Sequence, residues 1–407
     1  MTQMTPVTQV TPAPLRSRLV AATSGRSYRV WFPLTVYALT RLIDLIFMLI
    51  ATRHLAPGAT YGSLASNWDG QWYMSIANHG YPATLPRGAS GQVLQNQWGF
   101  YPAYPLIAGA IMALSGLGFT VVAPILSLLL GAAAVTVMFR LINQGSGRFA
   151  ASATVLLTCT YMAAPAMQIA YTESLALLLI CTALLLLRNR CYGWLVPVLV
   201  TLALTRAIAL AFVPVLIVHG INRYRHRARE PFPKTDRWRV VALTFLTVAL
   251  TGLWPTIAAL ATGDPAAYTQ TMSSWGTTGK LRVLIEFPAF AWAEGGASGL
   301  AVLLAIIAIA SLLVLRRGAR AWDPEVRAWA GFYPLYLLLA TAPGTSNIRH
   351  LLLGFPLLWP FPEPAATGSE RRFRMILIAG LALGGIAMQG VWVSSYLAAT
   401  SPSLWYP

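Results

Sequence analysis

Residues 66–82 read Ser66-Asn67-Trp68-Asp69-Gly70-Gln71-Trp72-Tyr73-Met74-Ser75-Ile76-Ala77-Asn78-His79-Gly80-Tyr81-Pro82. The segment combines a single carboxylate, Asp69, with large aromatic side chains and small polar residues. It follows the first strongly apolar segment of the chain, which is long enough to cross a bilayer. A carboxylate beside Trp68 and Trp72 at a membrane interface would be partly desolvated, and such an environment suits a general base.

The composition places the chain among integral membrane proteins. Of the 407 residues, 57% are hydrophobic and only 10% are charged, whereas a soluble domain has about 25% charged residues. In a soluble protein the net charge of +17 would suggest a nucleic-acid partner. In a membrane protein the same charge must first be compared with the positions of the loops, because cytoplasmic loops collect Lys and Arg.

Apolar segments predict about eleven membrane-spanning helices, and therefore an all-α polytopic fold. These segments lie at 31–52, 119–139, 149–166, 170–187, 192–206, 207–221, 240–262, 298–315, 328–342, 350–362 and 375–396. Residues 1–30, rich in Thr, Pro and Arg, are predicted to be a disordered cytoplasmic tail. The membrane domain would then cover 31–397, and residues 398–407 would form a short outer tail.

The distribution of positive charge predicts the orientation. If the N-terminal tail and alternate loops are cytoplasmic, that side holds 22 of the 29 Lys and Arg residues. The loop 53–118 is then on the outer face, and its apolar part, 100–117, is predicted to be an interfacial helix with Tyr101 and Tyr104 at headgroup level. Segments 192–206 and 207–221 would be a broken pair that meets near Arg206. Orientation accounts for most of the net charge, so no nucleic-acid partner is predicted.

This orientation restricts the carboxylates that an outer-face site could use. Five acidic residues fall on that side: Asp69, Glu173, Asp264, Glu286 and Glu294. A helix beginning near Ser66 would place Asp69 on one face with Trp72 and Tyr73, which makes it the best candidate. The alternative is a capping box, Ser66-x-x-Asp69, in which the acid only closes a helix start.

Arg41 and Asp44, inside the first span, are either a structural ion pair or part of the site.

Three motifs resemble the PIG-V-like family, which comprises the second mannosyltransferase of GPI-anchor assembly and its bacterial relatives. They are Trp68-Asp69-Gly70-Gln71-Trp72-Tyr73, Ile76-Ala77-Asn78-His79-Gly80-Tyr81 and Phe100-Tyr101-Pro102-Ala103-Tyr104-Pro105. Shorter matches are Tyr171-Thr172-Glu173-Ser174, Leu204-Thr205-Arg206 and Ser346-Asn347-Ile348-Arg349-His350. The resemblance extends over most of residues 35–360, and His350 stands where the family commonly has Tyr.

The resemblance implies a GT-C glycosyltransferase of the cell membrane, with interfacial helices in the first outer loop covering an active site on the outer face. The donor would be polyprenyl-phosphate mannose, and the acceptor a glycolipid, a lipoglycan or another hydroxyl compound. Asp69 would be the catalytic base of an inverting transfer. We expect no metal and no other cofactor.

The same resemblance suggests substrate-binding residues. Arg206 and Arg349 would bind the lipid phosphate, since guanidinium groups suit phosphate oxygens; the alternative for both is snorkelling. Glu173 would orient the acceptor, assist Asp69 or cap a helix, and Asp264 would line the cavity or close a turn. His350 would contact the donor. The aromatic candidates are Trp68, Trp72, Tyr73 and Tyr101, and the tryptophans could equally be interfacial anchors.

Two other functions are compatible with many spans and with charges inside the membrane. One is a transporter or flippase of lipid-linked sugars, although the sequence shows no convincing inverted repeat. The other is a non-catalytic subunit of a membrane transferase.

Overall fold

The computed structural model describes residues 15–54, 58–275, 285–316, 322–361 and 368–399, with side chains described from residue 27 onward. Within these ranges the chain is helical and forms no β-strand. Arg87 and Val93 form an isolated antiparallel bridge. The prediction of an all-α fold is therefore confirmed for the described residues.

The described residues form sixteen α-helices. In chain order they are α1, Leu15–Arg53; α2, Tyr61–Ala65; α3, Asp69–His79; α4, Ala103–Ser115; α5, Phe119–Ser146; α6, Arg148–Cys159; α7, Glu173–Arg188; α8, Tyr192–Ala203; α9, Val213–Arg225; α10, Lys234–Leu250; α11, Leu253–Thr262; α12, Ala267–Ser273; α13, Glu286–Leu315; α14, Pro324–Ala340; α15, Ser346–Leu351; and α16, Ser369–Trp392. Short 3₁₀ turns lie at Gln97–Gly99, Ala164–Gln168, Ala209–Phe212 and Leu352–Leu358, and a π-helical turn, Val393–Leu397, extends α16.

Four of the described helices are long and apolar enough to cross a membrane. They are Ser27–Arg53, Phe119–Ser146, Glu286–Leu315 and Ser369–Leu397. The pair α10 and α11, bent by 41°, would add a fifth. These five correspond to predicted spans, but the other predicted segments form shorter or interrupted helices, so the number eleven is not confirmed. Orientation in the membrane stays a prediction.

Of the predicted disordered tail, residues 1–30, the structure places residues 15–30 in α1, which begins at Leu15. That stretch is rich in Leu, Arg and Ala, which have high helix propensity. Residues 1–14 of this tail, and residues 400–407 of the predicted outer tail, lie outside the described residues.

Arg41 and Asp44 form a buried ion pair, and Arg41 contacts the end of α6. The Arg41 guanidinium pairs with Asp44 at 2.8 Å and donates hydrogen bonds to the carbonyl of Cys159, at 2.9 Å, and to that of Ala164. The last carbonyl groups of a helix need such partners, and α6 ends at Cys159, before the predicted residue 166. Both charged side chains are buried, so the contacts favour the structural interpretation of this pair.

Helix α5 lies at the centre of the bundle and packs against α1, α4, α6 and α7. The approach of α1 is close, because a Cβ atom on Gly131 would lie 2.1 Å from the hydroxyl oxygen of Tyr37. That hydroxyl donates a hydrogen bond to the carbonyl of Met167 at 3.0 Å. The absence of a side chain at residue 131 thus lets α1 and the segment after α6 lie against α5.

The described part of the predicted outer loop, residues 58–118, packs as a layer on α5. Its helix α4 has 13 residues and is about 20 Å long, too short for a hydrocarbon core of about 30 Å. Tyr104, which was expected at headgroup level, is fully buried and donates a hydrogen bond to the carbonyl of Ala123 at 2.8 Å, so it packs inside the protein. The apolar residues around it on α3 and α5 account for this placement.

Candidate functional site

A cavity of about 1100 Å³ opens between the outer-loop layer and the ends of several long helices. One wall comes from α2, α3 and the segment around Phe100, with Trp275 following α12. The opposite wall comes from residues 205–208, α14 and α15. Of the predicted site residues, those that line it are Trp68, Asp69, Trp72, Tyr73, Tyr101, Arg206, Arg349 and His350. The fold therefore brings residues that are far apart in the sequence to one cavity.

Asp69 is the first residue of α3, and its side chain is 30% exposed. The preceding residue, Trp68, has φ 56° and ψ −117°, a backbone conformation that is rare for a residue with a side chain. Strain of this kind persists where surrounding contacts enforce it. Here the contacts are hydrogen bonds from Asn67 Nδ2 (3.2 Å) and Trp68 Nε1 (3.1 Å) to the carbonyl of Leu397.

The capping-box alternative for Asp69 is wrong. Helix α3 has Trp68 at its N-cap, without a side-chain capping bond, and the buried Ser66 hydroxyl has no hydrogen-bond partner among the described residues. A capping box does occur one helix earlier, between Thr60 and Ser63. The Asp69 carboxylate is directed elsewhere, to Arg349.

Four charged side chains form a continuous chain of ion pairs. Arg349 Nη2 lies 2.7 Å from Asp69 Oδ2, and Arg349 Nη1 lies 2.9 Å from Glu173 Oε1. Arg206 Nη1 lies 2.5 Å from the same Glu173 oxygen and 3.1 Å from the Thr172 hydroxyl. Two negative and two positive groups alternate, so the cluster is neutral when all four are ionised.

Burial differs along this chain of ion pairs. Arg349 is 4% exposed and Arg206 is 15% exposed, whereas Glu173 is completely buried. Glu173 is the first residue of α7, a position where the helix dipole favours a negative charge. It lies beneath the cavity wall and not among the lining residues. The predicted direct contact of Glu173 with a substrate is therefore not what the geometry provides.

Local contacts fix Arg349. Its guanidinium lies 4.6 Å from the centre of the Tyr171 ring, a cation–π geometry. The hydroxyl groups of Tyr161 and Tyr333 donate to the carbonyls of Ile348 (2.9 Å) and His350 (2.8 Å), which anchors α15. Burial alone would lower the pKa of Arg349, but the carboxylates of Glu173 and Asp69 outweigh it and raise the pKa. Arg349 is thus a permanent cation.

Aromatic side chains form one side of the cavity. The Trp72 ring stacks on Phe100 with centroids 5.6 Å apart and meets Trp275 edge-on at 5.3 Å. Tyr73 is nearly buried beneath them, and burial, followed by the negative charge of Asp69, raises its pKa. The Tyr101 hydroxyl lies 3.0 Å from that of Tyr268. Because Trp68 and Trp72 line the cavity, the anchor interpretation does not account fully for them.

Asp264 is not brought to the cavity. Its Oδ1 accepts a hydrogen bond from the backbone N–H of Ala266 at 2.8 Å, and its Oδ2 lies 3.5 Å from Arg87. Gln270 bonds to the same carboxylate. These contacts agree with the second prediction for Asp264, that it closes a turn. They also join the loop after Pro82 to α12.

Some aromatic lining residues were not predicted, namely Tyr268, Tyr333 and Tyr336. Tyr333 and Tyr336 lie three apart on α14 and so share a face. Two tyrosines on one face of an otherwise apolar segment were a signal that could have identified this wall. Within the described ranges, no group of three His, Cys, Asp or Glu side chains is placed to hold a metal ion.

No protein-family model matches this sequence, and no curated protein matches it by sequence. The resemblance to the PIG-V-like family therefore stays a prediction. Among solved structures, the fold is similar to archaeal oligosaccharyltransferase AglB from Archaeoglobus fulgidus, in complex with an inhibitory peptide and a dolichol-phosphate. The TM-score is 0.49 and the sequence identity 11%, over 90% of this chain and 56% of that chain. The chain thus spans little more than half the length of that protein.

Proposed function

We propose that this protein is an inverting glycosyltransferase that moves a sugar from a lipid-phosphate donor to an acceptor hydroxyl group. The observation that carries the proposal is the lining of one cavity by Asp69, Arg206 and Arg349. A carboxylate beside two guanidinium groups supplies what such a reaction needs: a base for the acceptor and positive charge for the departing phosphate.

The carboxylate of Asp69 would take the proton from the acceptor hydroxyl. The hydroxyl oxygen attacks the anomeric carbon from the face opposite the phosphate, a new glycosidic C–O bond forms, and the bond between the anomeric carbon and the phosphate oxygen breaks. Attack from the opposite face inverts the anomeric configuration. The partial exposure of Asp69 and its ion pair with Arg349 support this role, because the carboxylate is both accessible and oriented.

The lipid phosphate leaves with its negative charge, which positive groups must stabilise. Arg206 and Arg349 are on the cavity wall and are held by Glu173. Guanidinium groups bind phosphate oxygens through paired N–H donors, and such charge-assisted bonds are stronger than neutral ones. Their contacts argue against snorkelling, in which the charged head would lie in water.

The finer parts of the proposal come from the sequence. The resemblance of the motif around Asp69 to the PIG-V-like family supports polyprenyl-phosphate mannose as donor and a glycolipid or lipoglycan as acceptor. The distribution of Lys and Arg supports a reaction on the outer face. The four long apolar helices are suitable surroundings for a donor with a lipid chain.

The test is a transfer assay with membranes that contain the protein, labelled polyprenyl-phosphate mannose and a lipid extract. We expect a labelled glycosidic product with the wild type and near-complete loss of it in Asp69→Asn, with normal amounts of inserted protein. Asp264→Asn is the matched control, because this carboxylate contacts Arg87 of the outer loop but does not line the cavity. Full transfer by Asp69→Asn would overturn the assignment of the base.

The same assay separates the two alternatives. Movement of the intact labelled lipid across the membrane, without any glycosidic product, would identify a flippase. A product that forms only when a second transferase is present, and that does not depend on Asp69, would identify a non-catalytic subunit.

A further inference from the structure

Glu173 has no exposed surface and lies behind the cavity wall. An acceptor or donor in the cavity would therefore meet the two arginines before it met this carboxylate. Glu173 is nevertheless close to the proposed catalytic base, because Arg349 pairs with both Glu173 and Asp69. A role for Glu173 must act through its neighbours.

A single oxygen atom of Glu173 holds both arginines. Oε1 lies 2.5 Å from Arg206 Nη1 and 2.9 Å from Arg349 Nη1. The other oxygen, Oε2, is buried and has no hydrogen-bond partner among the described residues. Two adjacent guanidinium groups repel each other, and the repulsion is strong where little water is present. The shared carboxylate oxygen offsets that repulsion and fixes the spacing of the two cations.

The two arginines differ in the donors that remain. Both terminal nitrogens of Arg349 bind carboxylates, and its Nε is buried without a partner among the described residues. The side-chain hydrogen bonds of Arg206 within the described residues all use Nη1. Arginine has five N–H donors, and Arg206 is the more exposed of the two. Arg206 thus has N–H groups to offer a ligand, whereas Arg349 is occupied with orienting Asp69.

We propose that Glu173 is a positioning residue that gives the two arginines different roles. Its Oε1 atom holds Arg206 so that the remaining N–H groups bind the donor phosphate, and it fixes Arg349 against Asp69. This inference rests on the proposed function and adds to it a residue, Glu173, that touches no substrate but sets the geometry of the phosphate-binding group Arg206.

The experiment measures the binding of farnesyl phosphate to the purified full-length protein, so that no turnover is required. Glu173→Gln keeps the shape of the side chain but removes its charge, and we expect the Kd for farnesyl phosphate to rise about tenfold. The control is Asp323→Asn, which removes an ion pair with Arg188 at the opposite end of α7, away from the cavity. We expect that variant to bind within about twofold of the wild type.

A double variant tests whether Glu173 acts through Arg206. If it does, Arg206→Gln combined with Glu173→Gln will bind farnesyl phosphate about as weakly as Arg206→Gln alone. The proposal would be overturned if the increases in Kd of the two single variants multiply in the double variant. An unchanged Kd in Glu173→Gln would also overturn it. Should Glu173→Gln not accumulate, Glu173→Asp retains the charge on a side chain too short to reach both arginines. We expect it to bind about threefold more weakly, and unchanged binding would again overturn the proposal.

Failure of the proposed function would look different. A wild type that binds farnesyl phosphate in a Glu173-dependent manner, but transfers no sugar from any lipid-phosphate donor, would reject the transferase and retain the positioning role. A wild type that transfers sugar, with phosphate binding independent of Glu173, would reject the positioning role alone.

Discussion

Asp69 and Arg349 form an ion pair of 2.7 Å between Oδ2 and Nη2, although they are 280 residues apart in the sequence. Arg349 is itself held by Glu173 and by the ring of Tyr171. The orientation of the Asp69 carboxylate is therefore set before any substrate arrives. A base that is already oriented loses little freedom when the acceptor binds, which lowers the barrier to proton transfer.

Lengthening the side chain of residue 69 should separate the effect of the carboxylate's position from the effect of its charge. Asp69→Glu keeps the carboxylate but moves it by about one carbon–carbon bond, and we expect transfer to fall about 100-fold, since small displacements of a catalytic group are costly. Asp69→Asn should fall further, about 1000-fold, because the base is lost. Initial rates per amount of inserted protein provide the measurement. A Glu variant as active as the wild type would show that the position of the carboxylate is not critical.

Replacing Arg206 by lysine tests the recognition of phosphate. Arg206→Lys keeps the positive charge but loses the planar fork of N–H donors, so the KM for the lipid-phosphate donor should rise about tenfold. The KM for the acceptor should change less than about twofold, because the acceptor does not bind the leaving phosphate. Arg188→Lys, at the far end of α7, is the control. A rise confined to the KM of the acceptor would contradict this assignment.

Asp44 provides a test of a structural ion pair. Asp44→Asn leaves the buried Arg41 charge without its carboxylate, and we expect a loss of about 3–5 kcal/mol in the free energy of unfolding. Activity per folded molecule should not change, because neither residue lines the cavity. Thermal unfolding in detergent and the transfer assay measure the two effects. Normal stability combined with lost activity would instead place the pair in the site.

Adjacent glycines in α16 offer a matched comparison of packing. A Cβ atom on Gly385 would lie 2.1 Å from the backbone oxygen of Thr160, whereas the neighbourhood of Gly384 is open. Gly385→Ala should therefore destabilise the fold by about 1–3 kcal/mol. Gly384→Ala should stabilise it by about 0.5–1 kcal/mol, because alanine is the better helix residue. Equal unfolding temperatures of the two variants would argue against the close approach of α16 to residue 160.

The sequence was sufficient to predict a helical membrane protein and to select Asp69, because charged residues are rare in this chain. The chain has few carboxylates, and their positions relative to the apolar segments leave five candidates for a general base on the outer face. Arg206 and Arg349 could be proposed for a similar reason, since each interrupts or borders an apolar segment. All three line the cavity in the folded chain.

Other features depend on contacts that no local pattern encodes. The ion pairs of Glu173 with Arg206 and Arg349 were not predicted, because these partners lie 33 and 176 residues away. The end of α6 was placed too late because a side chain on α1, Arg41, caps it. Tyr104 was assigned to the interface because an apolar segment does not reveal which of its faces the rest of the protein covers.

The hydrogen bonds from Asn67 and Trp68 to the carbonyl of Leu397 have a consequence for biosynthesis. The strained turn that presents Asp69 is made early in translation, but its anchor is synthesised more than 300 residues later. A ribosome-bound chain that has not yet released the end of α16 into the membrane lacks this anchor. We therefore expect the turn at Trp68 to acquire this geometry only after α16 and Leu397 have been synthesised.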